Sequence, residues 1–296
     1  MLDAQIKGLL FTINLSQPLS LSDTEIMTMA SLLEDEAIST SWEKSKNAWD
    51  IMWLVDFRPN AAQIAKRLKV QAAKLKIEPV ADTNWLEHSY QQFPPFRIGD
   101  FFIYGSHYKE KIPAKTMGLQ IDAATAFGSG EHGTTKGCLE MLIRMKDMGI
   151  KPKNILDMGT GSGILALGAY RLWKKPVLAI DNDPESVRVS CRHRSMNKIP
   201  AGAEGVACAC GDGYKTHKVK QTAPFDLVIA NILAGPLIEM APELAGVLKP
   251  KGYVILSGLL RDQEKAVLAA HKEFGMKKIA RIVHDDWCAL LLQAES

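Results

Sequence analysis

Three stretches of the chain bring together side chains whose types and spacing could do chemistry. The first, Asn154-Ile155-Leu156-Asp157-Met158-Gly159-Thr160-Gly161-Ser162-Gly163, is an apolar run entering a glycine-rich turn. Glycines there permit a tight bend and let the backbone approach a ligand closely. The second, Val177-Leu178-Ala179-Ile180-Asp181-Asn182-Asp183-Pro184, ends an apolar run on an acid. Asp181 can accept both hydroxyls of a ribose, each hydrogen bond to a charged group contributing roughly 1.5–3 kcal/mol. Asp183, just before Pro184, suits the N-cap of a following helix. The third ends in Ala230-Asn231-Ile232-Leu233. Asn231 offers one acceptor and two donors, a combination suited to orienting an amine, although a strand-end Asn is also a common turn former. Gly211-Asp212 adds an acid that could meet the edge of a nucleobase or simply form a turn. This is the chemistry of nucleoside recognition. A dinucleotide loop would read G-x-G-x-x-G over a helix N-terminus, but here the spacing is G-x-G-x-G, with Ile164 in the third glycine's place.

The elements that must hold these residues are legible around them. From residue 153 onward apolar strands alternate with helical stretches: strands over 154–158, 177–181, 205–211, 225–232 and 252–256, and helices opening near Gly163, Pro184 and Pro236. Near-continuous apolar strands alternating with helices predict a parallel sheet covered on both faces. The chain then closes with strands over 277–284 and 287–293 around Asp285-Asp286, a break so short that the two must pair antiparallel. In such sheets the candidates above all fall at the carboxyl ends of strands, where open α/β folds bind ligands. Before residue 82 the pattern is β-α-β-β-α-β, with strands over 5–15, 37–42, 49–55 and 75–80. Helices begin after the candidate caps Ser22 and Asn60, and the order predicts a ferredoxin-like α+β unit. The expected division is a small domain over 1–82, an aromatic and proline-rich linker over 83–118, and an α/β domain over 119–296.

The segment Ala126-Phe127-Gly128-Ser129-Gly130-Glu131-His132-Gly133-Thr134-Thr135 precedes the glycine turn and opens a helix. A glycine-studded loop of this kind can lie over a ligand, with Phe127 excluding water and Thr134 or Thr135 capping the helix and donating a hydroxyl. His132 has no neighbour that would complete a metal site or a nucleophile–base pair, so no metal is expected. Composition sets the outer limits. At 296 residues and 47% hydrophobic, the chain can bury about two domain cores. The most apolar window, residues 229–248, contains Glu239 and Glu243, so no membrane span is expected. The five cysteines are scattered, with neither zinc spacing nor a disulfide framework, which suits a reducing cytoplasm. A net charge of +3 is too mild to indicate nucleic-acid binding by itself.

The G-x-G-x-G loop preceded by Asp157 resembles the first motif of the class I S-adenosylmethionine-dependent methyltransferases. Taken with the Phe127 loop ending in His132-x-Thr134-Thr135, with Asp181-x-Asp183-Pro184, with Asn231-Ile232-Leu233-Ala234-Gly235-Pro236-Leu237 and with Asp286-Trp287-Cys288, it resembles one family closely: the PrmA-type methyltransferases of a large-subunit ribosomal protein. The resemblance spans residue 82 to the end. It departs from the family pattern at Ser129, Glu131 and Gly133, where Thr, Thr and Pro are usual. It implies a Rossmann-like sheet, S-adenosylmethionine held by Thr135, Gly159, Asp181 and Asn231, with Asp157, Gly161 and Gly163 of the glycine loop also at the cofactor, and methyl transfer to lysine side chains and the terminal amine of that protein. Asn231 and Phe127 are the residues placed nearest the reaction, and Asp212 is a further ligand contact. A methyltransferase of another protein's lysines, or a non-catalytic S-adenosylmethionine-binding ribosome assembly factor, are the alternatives; a nicotinamide-dependent oxidoreductase is disfavoured by the missing third glycine and the closing hairpin. The expected partner is a ribosomal protein, with no sequence-specific nucleic acid, no membrane and a monomeric state.

Overall fold

The computed structural model describes residues 10–33, 36–37, 39–55, 57–80, 94–122 and 133–295, in two compact units, 1–92 and 93–296. Phe127 and His132 lie outside the described residues.

The first unit runs β1 (Leu10–Gln17), α1 (Asp23–Ser31), β2 (Ser39–Lys44), β3 (Trp49–Val55), α2 (Ala61–Leu68) and β4 (Leu75–Val80). Its strands pair antiparallel in the order β2-β3-β1-β4, the ferredoxin-like arrangement. Both predicted caps are present. Ser22 and Glu25 close a capping box on α1, and the Asn60 side chain accepts from the Ala62 and Gln63 amides. Ile13, Leu15, Ile51 and Trp53 of the sheet are buried with Ile26, Ile64 and Leu68 of the helices.

The second unit begins in the stretch expected to be a linker. Its described part forms three short strands, β5 (Phe96–Ile98), β6 (Phe101–Tyr104) and β7 (Met117–Gln120). Phe101, Ile103 and Leu119 are fully buried in one core with Leu139 and Leu142 of α3 (Gly133–Asp147). Phe101 thus belongs to the core of the second unit, while Phe102, Tyr104 and Tyr108 cluster with ring centroids 5.3 to 5.8 Å apart.

The remaining elements are β8 (Ile155–Met158), α4 (Ile164–Trp173), β9 (Val177–Asp181), α5 (Pro184–Met196), β10 (Val206–Cys210), α6 (His217–Thr222), β11 (Phe225–Asn231), α7 (Ala234–Glu239), α8 (Ala241–Val247), β12 (Leu248–Leu260), α9 (Glu264–Lys272), β13 (Met276–His284) and β14 (Trp287–Ala294). The seven strands lie in the order β10-β9-β8-β11-β12-β14-β13. The first five are parallel, and β14 pairs antiparallel with both β12 and β13. One face packs on α3 and α4, the other on Val219, Leu237, Leu244 and Val267 of α6 to α9. Strand order reverses between β8 and β11, and the crevice beyond their carboxyl ends is where a ligand fits.

Gly163 fixes one wall of that crevice. It stands at φ +84° at the start of α4, and a Cβ there would meet Ser190 Cβ of α5 at 3.0 Å and its Cα at 3.2 Å. Gly163→Ala is expected to lower stability by about 1–3 kcal/mol in urea denaturation, from left-handed backbone strain plus crowding. An unchanged midpoint would contradict this packing.

Candidate active site

The loop after β8 is latched to β9 from above and to α4 from below. The Gly159 and Thr160 amides both donate to the Ile180 carbonyl at 2.9 Å, and the Gly163 amide donates to the Thr160 carbonyl at 2.8 Å. Beneath the loop Asp157 is wholly buried; its Oδ2 accepts from Thr160 Oγ1 at 2.7 Å and from the Ala166 amide at 3.0 Å. Burial pushes this carboxyl up to about 7, against the two hydrogen bonds. Asp157 and Gly163 are not among the described residues lining the cavity above. They stand beneath and at the end of the loop that does line it.

Asp181, at the end of β9, is held by two backbone donors. Its Oδ2 accepts from the Gly161 amide at 2.8 Å and its Oδ1 from the Asp183 amide at 3.1 Å. Asp183 itself caps α5, accepting from the Glu185 and Ser186 amides, as its place before Pro184 suggested. Across the crevice Asn231 ends β11. Its Nδ2 donates to Thr135 Oγ1 at 3.4 Å, while its Oδ1 is buried without a hydrogen-bond partner among the described residues. Ser257 of β12 steadies this side, donating to the Thr134 and Cys288 carbonyls, so the start of α3 and the closing hairpin share one anchor.

These residues surround a cavity of about 460 Å³ whose lining includes Thr135, Gly159, Gly161, Asp181, Asn231 and Trp287. A second hollow of about 470 Å³ continues it through Gly159, Asp181 and Ile232 and is lined by Asp212. Asp181 therefore sits at the junction, with Asn231 and Thr135 on one side and Asp212 on the other. The loop comes this close to β11 only because residue 159 lacks a side chain: a Cβ would stand 2.3 Å from Ile232 Cγ2. Two lining residues, Trp287 and Leu233, were not assigned a role from the sequence. Leu233 is 71% exposed at the lip, and Trp287 follows the Asp285-Asp286 turn, an aromatic beside a hairpin that was the available signal.

His193 of α5 ties the loop to the second unit's smaller sheet. Its Nδ1 lies 2.7 Å from the Ser162 carbonyl, and its Nε2 accepts from the Asp122 amide at 3.2 Å. Those partners require the neutral ring with the proton on Nδ1.

A family model described as ribosomal protein L11 methyltransferase (PrmA) matches residues 12–295. The ribosomal protein L11 methyltransferase of Allorhizobium ampelinum is 38% identical over 272 residues, covering 88% of this chain and 90% of its own length. That of Caulobacter sp. (strain K31) is 43% identical over 249 residues, covering 82% and 83%. A crystal structure of ribosomal protein L11 methylase from Lactobacillus delbrueckii subsp. bulgaricus superposes with a TM-score of 0.59 at 28% identity, covering 69% of this chain and all of that one.

Burial holds the His193 ring below the usual imidazole value of 6.5. The unfolded chain therefore takes up a proton that the folded chain refuses, so this contribution is complete above pH 6.5 and shrinks as pH falls below it. Urea midpoints at pH values of about 7.5 and 5.5 should fall more for the wild type than for His193→Gln. Equal losses in the two proteins would show that the ring is not neutral in the fold.

Proposed function

We propose, for a chain that belongs to the ribosomal protein L11 methyltransferase (PrmA) family, that it methylates lysine side chains and the N-terminal amine of ribosomal protein L11. The chain is a class I, S-adenosylmethionine-dependent protein methyltransferase. Its residues fit that ligand. The paired hollows of about 460 and 470 Å³ are of the size that holds a drug-sized molecule, and they meet at a carboxylate. Asp181 is available to the ribose hydroxyls, Asp212 to the base edge, and Gly159 and Gly161 to the amino-acid end. S-adenosylmethionine, when bound, supplies an electron-poor methyl group on a sulfonium.

The observation that supports amine chemistry most directly is Asn231. Its Oδ1 is a buried acceptor without a described partner, and a buried polar atom left so costs roughly 1–3 kcal/mol. With its Nδ2 donating to Thr135 Oγ1 at 3.4 Å, the oxygen is the atom turned to a donor. An amine N–H satisfies it and is oriented by it. Ile232, Leu233 and Trp287 supply apolar walls that shed water from a lysine stem. A lysine of pKa ~10.4 is neutral only about once in 2,500 near pH 7, a deficit of roughly 4.6 kcal/mol. Alignment in a near-attack geometry supplies ~7–11 kcal/mol, so positioning is enough and a strong general base is not needed.

Incubation with methyl-labelled S-adenosylmethionine and ribosomal proteins from cells lacking this enzyme should label ribosomal protein L11. Asn231→Ala should slow that labelling by roughly 10- to 100-fold, the loss of an orienting contact. Label confined to other proteins would move the substrate outside the ribosome. Full turnover by Asn231→Ala would remove the role assigned to its carbonyl.

A further inference from the structure

The end of the large sheet opposite the cleft has a charge distribution that the net charge of +3 conceals. The connections leading into the adjacent strands β10, β9 and β8, and the first turn of β12 beyond β11, all lie at the amino-end edge of the parallel strands. Lys151 and Lys153 precede β8, Lys174 and Lys175 precede β9, Lys198 precedes β10, and Lys251 stands in the turn that opens β12. All six are exposed. The acids near them are Asp147, at the end of α3, Glu204, and Glu295, two residues past Gln293 of β14, whose side chain bonds the Lys251 carbonyl; Lys249 is already matched by Asp226 at 2.9 Å. Exposed lysines thus outnumber acids on this face by at least two to one.

Helix ends account for only part of this. Lys174 caps the C-terminus of α4 and Lys198 follows the Asn197 cap of α5, where a cation is favoured, but Lys151, Lys153 and Lys251 stand several residues past any helix end. Lys174, Lys198 and Lys251 moreover stand at φ 52°, 54° and 61°, left-handed positions that favour glycine. Lys69 and Lys115 make the same choice elsewhere, so three of five such lysines fall on this one face.

We propose that this lysine face binds the phosphate backbone of RNA without reading its sequence. The five strands from β10 to β12 span about 19 Å at ~4.8 Å spacing, over which a double helix presents roughly 11 phosphates. A membrane surface is a poorer fit. The exposed large apolar residues here, Met148 and Phe274, follow α3 and α9 on opposite faces of the sheet and form no joint patch to insert. Because the face is remote from Asp181 and Asn231 along the strands, an RNA-bound enzyme keeps its cleft open. The inference is independent of which protein is methylated.

The test is fluorescence anisotropy of a labelled RNA hairpin titrated with the full chain at about 50 and 200 mM salt. Binding should weaken by about 100-fold between those salts, as expected for some four phosphate contacts. The combined variant Lys151→Glu, Lys153→Glu, Lys175→Glu and Lys251→Glu should bind at least 10-fold more weakly. Arginine at the same four positions should retain binding, and both variants should keep wild-type methyl transfer to the free protein substrate. The proposal is overturned if the wild type does not bind at low salt, if the glutamate variant binds as well as wild type, or if phosphatidylserine vesicles capture the chain as strongly as RNA does.

Discussion

A carboxylate pinned between two backbone amides organises the site. Asp181 ends β9 and accepts from Gly161 on one side and from Asp183 on the other, at 2.8 and 3.1 Å. One side chain thus sets the height of the glycine loop and the start of the turn into α5. Charge-assisted bonds of this kind are the strong ones, and here they leave the carboxylate oxygens aimed where two hollows meet. Without that anchor the loop after β8 would hang from the Ile180 carbonyl alone at its upper side.

The sheet order makes the anchor useful. Because strands run outward from β8 in opposite directions, the loops after β8 and β11 diverge and leave a crevice. Asp181 and Asn231 come from strands on either side of β8, so their separation is fixed by hydrogen-bonded ladders on both flanks. The antiparallel hairpin adds a rigid wall: Ser257 bonds both Cys288 and the first turn of α3, placing Trp287 at the cavity. Rigid elements on three sides suit a reaction whose barrier is lowered mainly by alignment.

Much of this was legible in the sequence because it depends on local signals. Ser22, Asn60 and Asp183 announce helix starts through the hydrogen bonds only such side chains make, and all three cap as read. The buried strands of the parallel sheet announce themselves as apolar runs. Long-range facts were less legible. Strands of three and four residues, such as β5 and β6, are too short for periodicity, so residues 94–118 read as a connector until tertiary pairing is seen. Asp157 and Asp181 read alike in the sequence, each an acid closing an apolar run. What separates the two is depth: one lies under the loop, the other beside it. Charge asymmetry was invisible for a related reason, since a chain average of +3 cannot reveal which end of a sheet holds the lysines.

The central claim is that the Asp181 carboxylate grips the sugar of the methyl donor. Calorimetric titration of the wild type and Asp181→Asn with S-adenosylmethionine tests it, with thermal melts confirming that both remain folded. Losing the charge from two hydrogen bonds of roughly 1.5–3 kcal/mol each is expected to weaken binding by about 100-fold or more. Dissociation constants that agree within about twofold, a difference under roughly 0.5 kcal/mol, would contradict the account.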